Sequence, residues 1–361
     1  MKLKFFVIIV ALFAILGLSA CTSQSTNNDL TSNDPESSVD GLEPSENVEF
    51  DPNDKSNWPN SVRVGSASLG GTAYAYAGGY SSLIQKYTGV NSAVEVTGGP
   101  VHNIQLLQNQ DIEIGVVTMG PAWEAWYGEG EWTGGQELRD WRVFFPMYTS
   151  YFHWWAKEDT GIRSIDDLNG KKVGVGPSGG TPATYLPEFL EILGVEAEPV
   201  YAGLGDLVSQ QMDGLIPAVG FGGGIPFTSV QEAELQHKLN VFGFTEEQVS
   251  TLVSEYPFLS EAVIPANTYE NQPDVMYSPS IWNLGVVQKD LPDSFVYQAT
   301  DAVLSHNEEL IQAHVAGEET LAENIKYNTF LWMHPGAIRW FEENGYDLPE
   351  EVYPPEYPKN D

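Results

Sequence analysis

The sequence predicts an α/β fold, two sets of strands and helices layered on a largely parallel sheet. Three observations predict it. A strand–helix–strand–helix–strand order runs from Ser61 to Thr118, and a related order recurs from Ser164 to Phe221. Three strand ends carry Gly-rich loops with hydroxyl side chains: SLGGT at 68–72, TGGPVHN at 97–103 and PSGGT at 177–181. In open α/β sheets, ligands collect outside the carboxyl ends of strands, so these loops predict a cleft.

The elements follow in order. Met1 to Ala20 has the form of a secretory leader, with Lys2 and Lys4 ahead of an apolar stretch from Phe5 to about Leu16 and small residues before Cys21. The apolar run is short for a span, which needs about 20 residues. From Thr22 to about Asn60 the chain turns to Ser, Thr, Asn, Pro and acidic residues, which predicts an extended tether.

VRVGSAS (62–68) alternates as a strand does, and a helix is expected from Thr72 through Tyr87, with Gly89 past its end. AVEVTGG (93–99) is a second strand, Asn103 to Gln110 a short helix, and IEIGVVT (112–118) a buried strand. WRVFFPMYTSYFHWWAK (141–157) reads as one or two aromatic-rich strands. SIDDLNGKKVGVG (164–176) gives a short helix, a turn and a strand. Helices are expected over Thr181–Leu193 and Leu204–Met212, with a strand near Glu198–Tyr201 between them. AVGF (218–221) is a strand leading into the loop GGGIP. SIWNLGVVQ (280–288) is strand-like, Asp293 to His314 a helix, and the tail from Leu321 helical and then rich in Pro and Tyr.

The loops have their own chemistry. In PSGGTP, Pro182 suits the first turn of a helix, Gly179 and Gly180 leave backbone N–H groups bare, and Ser178 and Thr181 add hydroxyls. Such a helix start can hold a carboxylate or phosphate without Lys or Arg, although ordinary capping uses the same residues. SLGGTAYAY repeats the form with Gly70, Gly71, Thr72 and Tyr74. TGGPVHN adds His102 and Asn103. Aromatics crowd around Trp123, Trp126, Tyr127 and Trp132 and again from Tyr148 to Trp155; some must be core, and the rest could cage a cation. GVGPSG (174–179) matches a dinucleotide fingerprint literally, but a lone motif in so acidic a chain has little specificity.

Composition narrows the function classes. The 361 residues carry 50 Asp+Glu against 16 Lys+Arg, a net charge of -34, which argues against nucleic-acid binding. The single cysteine, Cys21, excludes an intrachain disulfide framework or a Cys-rich metal site. There is no HExxH or Walker A signature and no pair of His at metal spacing, so no enzyme, cofactor or metal is expected.

Leu18-Ser19-Ala20-Cys21 resembles a bacterial lipobox, which implies cleavage after Ala20 and lipid on Cys21. Beyond it, from about Ser61 to Tyr357, the chain resembles the solute-binding proteins of TRAP transporters, of the TAXI subgroup. The residues that carry the likeness are SASLGGTAYAYAGGYSSLIQK, VEVTGGPVHNIQLLQNQDIEIGVV, SIDDLNGKKVGVGPSGGT and MHPGAIRWFEENGYDLP. The resemblance implies a two-lobed type II periplasmic-binding fold, lobe 1 being 61–149 plus 278–361 and lobe 2 being 150–277. It further implies a monomeric, extracytoplasmic receptor that hands a small carboxylate, such as 2-oxoglutarate or a glutamate-like amino acid, to a membrane permease. Carried over by position, the ligand-binding residues are Gly70, Gly71, Thr72, Tyr74, His102, Asn103, Ser178, Gly179, Gly180, Thr181 and Gly224, with Trp123 as a possible wall. The chain departs from the family pattern at Thr118-Met119-Gly120 and at His102.

Overall fold

A computed structural model describes residues 50–357. The leader, Cys21 and the tether as far as Glu49 lie outside the described residues.

In chain order the first group is β1 (Ser61–Gly65), α1 (Thr72–Thr88), β2 (Asn91–Glu95), α2 (Pro100–Gln108), β3 (Ile114–Thr118) and α3 (Met119–Tyr127). The 17-residue strand β4 (Trp141–Lys157) leads to a second group: β5 (Lys172–Gly174), α4 (Thr181–Ile192), β6 (Glu198–Val200), α5 (Leu204–Met212), β7 (Ala218–Gly223), α6 (Thr228–Glu234) and β8 (Leu239–Phe242). After α7 (Glu246–Glu255) and β9 (Leu259–Ile264), the long β10 (Met276–Gln288) returns, followed by α8 (Asp293–Leu304), α9 (Asn307–Ala313) and α10 (Pro335–Glu343).

All ten strands share one sheet, ordered β2-β1-β3-β10-β4-β7-β5-β6, with β8 beside β4 and β9 beside β10. Within each group the pairs are parallel: β1 with β2 and β3, β5 with β6 and β7. The expected largely parallel sheet is thus mixed, because β4 and β10 run antiparallel to each other and to their other neighbours. Both are buried nearly throughout and read as continuous apolar runs rather than alternating ones. Pro146 sits inside β4 where the β4–β10 register shifts beside Gly285, a place where a strand tolerates a missing donor.

Two other expectations change. Residues 50–60, assigned to the extended tether, are fastened to the domain. Trp58 donates from its indole to the Ser294 hydroxyl at 2.9 Å, its ring packs edge-on against Phe295, and Lys55 reaches the Thr88 carbonyl at 3.1 Å. Aromatic burial outweighs the acidic composition there. The helix expected over Asp293–His314 breaks at Ser305–His306 into α8 and α9.

Candidate functional site

Four helices begin at the carboxyl ends of parallel strands or just beyond them. α1 starts on Gly71, α2 on Gly99, α3 on Thr118 and α4 on Gly180, and none of these four residues caps its helix with a side chain. All four line the same cavity. Unpaired N–H groups give a helix start roughly half a positive charge; at α2 they are taken up, Val101 and His102 both donating to the Gly179 carbonyl. The N–H groups of Thr72, Ala73 and Thr181 have no hydrogen-bond partner among the described residues.

No Lys, Arg, His, Asp or Glu lines this cavity. Its walls are backbone, the hydroxyl residues Ser68, Thr72, Thr118, Ser150 and Thr181, the aromatics Tyr148 and Phe221, and Asn283. Burial pushes the Tyr148 hydroxyl well above its ordinary range, so it stays neutral and able to donate. The free space totals about 480 Å³, of which about 40 Å³ can be occupied by the centre of a water molecule. The arrangement is an electropositive, nearly closed pocket with no fixed charge.

The two groups meet around it. The Thr118 and Thr181 hydroxyls are 2.6 Å apart. The Gly179 carbonyl accepts from the N–H of Val101 at 3.0 Å and of His102 at 3.4 Å, so the start of α2 is held by the loop before α4. Gly99 has φ +113°, and a Cβ there would lie 3.0 Å from the Gly180 Cα. Only glycine gives both that conformation and that approach. Thr72 donates to the Gly224 carbonyl, Ser229 to that of Gly70 at 2.8 Å, and Tyr185 to the Glu124 carboxylate at 2.6 Å. Glu124 also accepts from the Trp132 indole at 2.5 Å, and burial raises its pKa.

The residues named from sequence divide accordingly. Gly71, Thr72, Gly180 and Thr181 line the cavity. Gly70, Gly179 and Gly224 stand behind it through the contacts above. Ser178 and His102 are exposed at its edge, where His102 Nδ1 accepts from the Gly98 N–H at 3.0 Å. Tyr74 is half-buried outside the lining.

Asn103 is fully buried and its amide is already committed. Nδ2 donates to the carbonyls of Ser66 and Val116 at 2.8 Å each, and Oδ1 accepts from Thr97 at 2.7 Å. It ties the end of β1 to β3 beneath the pocket. Trp123 lies away from the cavity, donates to Glu129 at 2.9 Å and packs on Tyr127 and Phe330.

Sequence reasoning passed over Ser150 and Asn283, and left Tyr148 undivided among the aromatics that pack or line a cleft. All three come from β4 and β10. The available signal was a polar residue inside an apolar strand run, MYTSYF for Ser150 and SIWNLGVV for Asn283.

The fold has solved counterparts. A structure described as a periplasmic transporter is 14% identical, with a TM-score of 0.51, covering 80% of this chain and 98% of its own. The periplasmic binding protein BugD is 13% identical, also with a TM-score of 0.51 and coverage of 80% and 98%. At these identities the likeness is one of fold, and the α/β architecture is that of periplasmic binding proteins. Residues 64–345, most of the chain, match the NMT1-like family, and the protein belongs to that family.

Proposed function

We propose that the protein is an extracytoplasmic solute receptor that binds a small carboxylate in the pocket between its two βα groups. The carrying observation is the convergence of four helix starts, none capped by a side chain, on a cavity without charged side chains. N–H groups and hydroxyls then do the work that a basic residue does elsewhere. The fold supports a binding role, as do the periplasmic neighbours.

In this reading the groups belong to two lobes, 61–149 plus 278–361 and 150–277, hinged on β4 and β10. The ligand touches both lobes only when they are together, so its binding favours the closed arrangement. Delivery is to a membrane permease of the TRAP type, the partner the TAXI resemblance implies, and a lipid on Cys21 keeps the receptor at the membrane. The protein captures its solute and does not turn it over.

A thermal-shift panel tests the reading. A small carboxylate at about 100 times its Kd should add about 2.7 kcal/mol to stability. If monocarboxylates, dicarboxylates and glutamate all leave the melting temperature unmoved, the reading fails.

A further inference from the structure

Asn283 gives the pocket a chemical polarity. The residue lines the cavity and is 2% exposed. Its Nδ2 donates to the Tyr148 carbonyl and to the Ser150 hydroxyl, each at 2.7 Å. The Tyr148 carbonyl can only accept, so the amide nitrogen must face it and Oδ1 faces the other way. Oδ1 has no partner among the described residues, yet it is not among the atoms sealed from free space. Every other polar side chain in the lining is a hydroxyl, which can donate or accept. Among the lining side chains, Asn283 Oδ1 alone is restricted to accepting.

Resting on the carboxylate reading, we infer that the ligand is a small hydroxymonocarboxylate: its carboxylate faces the helix starts and its hydroxyl donates to Asn283 Oδ1. A buried acceptor left without a donor costs binding, so a ligand lacking the hydroxyl is disfavoured. The second carboxylate of a dicarboxylate would bring lone pairs against Oδ1 and find no basic side chain. An ammonium group would find an acceptor but no counter-charge in a wall without Asp or Glu, and burying it there is unfavourable. The acids that the family resemblance implies are therefore the disfavoured ones.

The test is calorimetric titration of the purified protein, stripped of bound ligand by unfolding and refolding, with lactate, propionate, alanine, succinate and glutamate. Lactate should bind at least about tenfold more tightly than each of the others. Equal binding of propionate and lactate overturns the role of Asn283 and leaves the carboxylate reading standing. Tightest binding by succinate, glutamate or alanine overturns the inference in the same way, whereas silence from all five acids overturns both. In Asn283→Leu the lactate-to-propionate ratio should fall to about one; if that variant does not fold, the wild-type series decides alone.

Discussion

The hydroxyls of Thr118 and Thr181, 63 residues apart in sequence, meet at 2.6 Å in the wall of the pocket. Thr118 ends β3 and stands at the start of α3; Thr181 opens α4. One hydrogen bond thus joins two helix starts from different βα groups. Both side chains are buried, so the bond is shielded from water.

Thr181→Val keeps the shape of the side chain and removes its hydroxyl. We expect carboxylate affinity to fall at least about tenfold, with a stability loss of about 1 kcal/mol. Titration calorimetry and thermal melting read the two separately. Full affinity in the variant would show that the hydroxyl takes no part in binding.

Gly99→Ala places a methyl group about 3.0 Å from the Gly180 Cα at φ +113°. The cost of such a conformation is about 1–3 kcal/mol, and the two loops must separate to admit the methyl. Binding should weaken more than in Thr181→Val, while the far-UV circular dichroism stays that of the wild type. Wild-type affinity in Gly99→Ala would mean that the close approach of the loops is dispensable.

Two buried histidines set the acid sensitivity. The Tyr269 hydroxyl accepts from the Phe227 N–H at 2.9 Å and shares a hydrogen bond of 2.8 Å with His153 Nε2 in a fully buried setting. His334 caps α10 by accepting from the Gly336 N–H at 3.2 Å. Burial pushes both imidazoles down to about 3. Unfolded, they titrate near 6.5, so between pH 6.5 and 3 the unfolded chain binds protons that the folded one refuses. Their contribution is intact above pH 6.5 and erodes as pH falls, by up to about 1.4 kcal/mol per pH unit for each ring. His334→Asn retains a capping acceptor and should flatten the decline measured by denaturation between pH 7 and 5. An unchanged slope would exclude His334 as a source.

A net charge of -34 repels itself, and salt screens it over about 10 Å at 0.1 M and 3 Å at 1 M. Melting temperature should therefore rise between 0.1 and 1 M NaCl, as expected of a protein adapted to a saline exterior. A flat or falling curve would remove that explanation of the acidity.

The starts of α1 and α4 were legible because each is written locally as Gly-Gly-Thr; α2 begins three residues before the expected Asn103, and α3 was not expected. The long strands were not. β4 is one strand only through its partners, β10 along its first half across a register shift at Pro146 and β7 and β8 along its second. Asn283 and Ser150 look like stray polar residues in core strands until the sheet sets them beside the loops around the pocket. Asn103 stayed open in the sequence for a related reason. A polar residue at a helix start can face a ligand or hold strands together, and only its hydrogen-bond partners tell which.

The most direct test of the pocket's role is mass spectrometry of the small molecule released when the freshly purified protein is denatured. A single small organic acid, present near one equivalent, is the predicted result. A sugar, a betaine or a cation in its place would contradict the account.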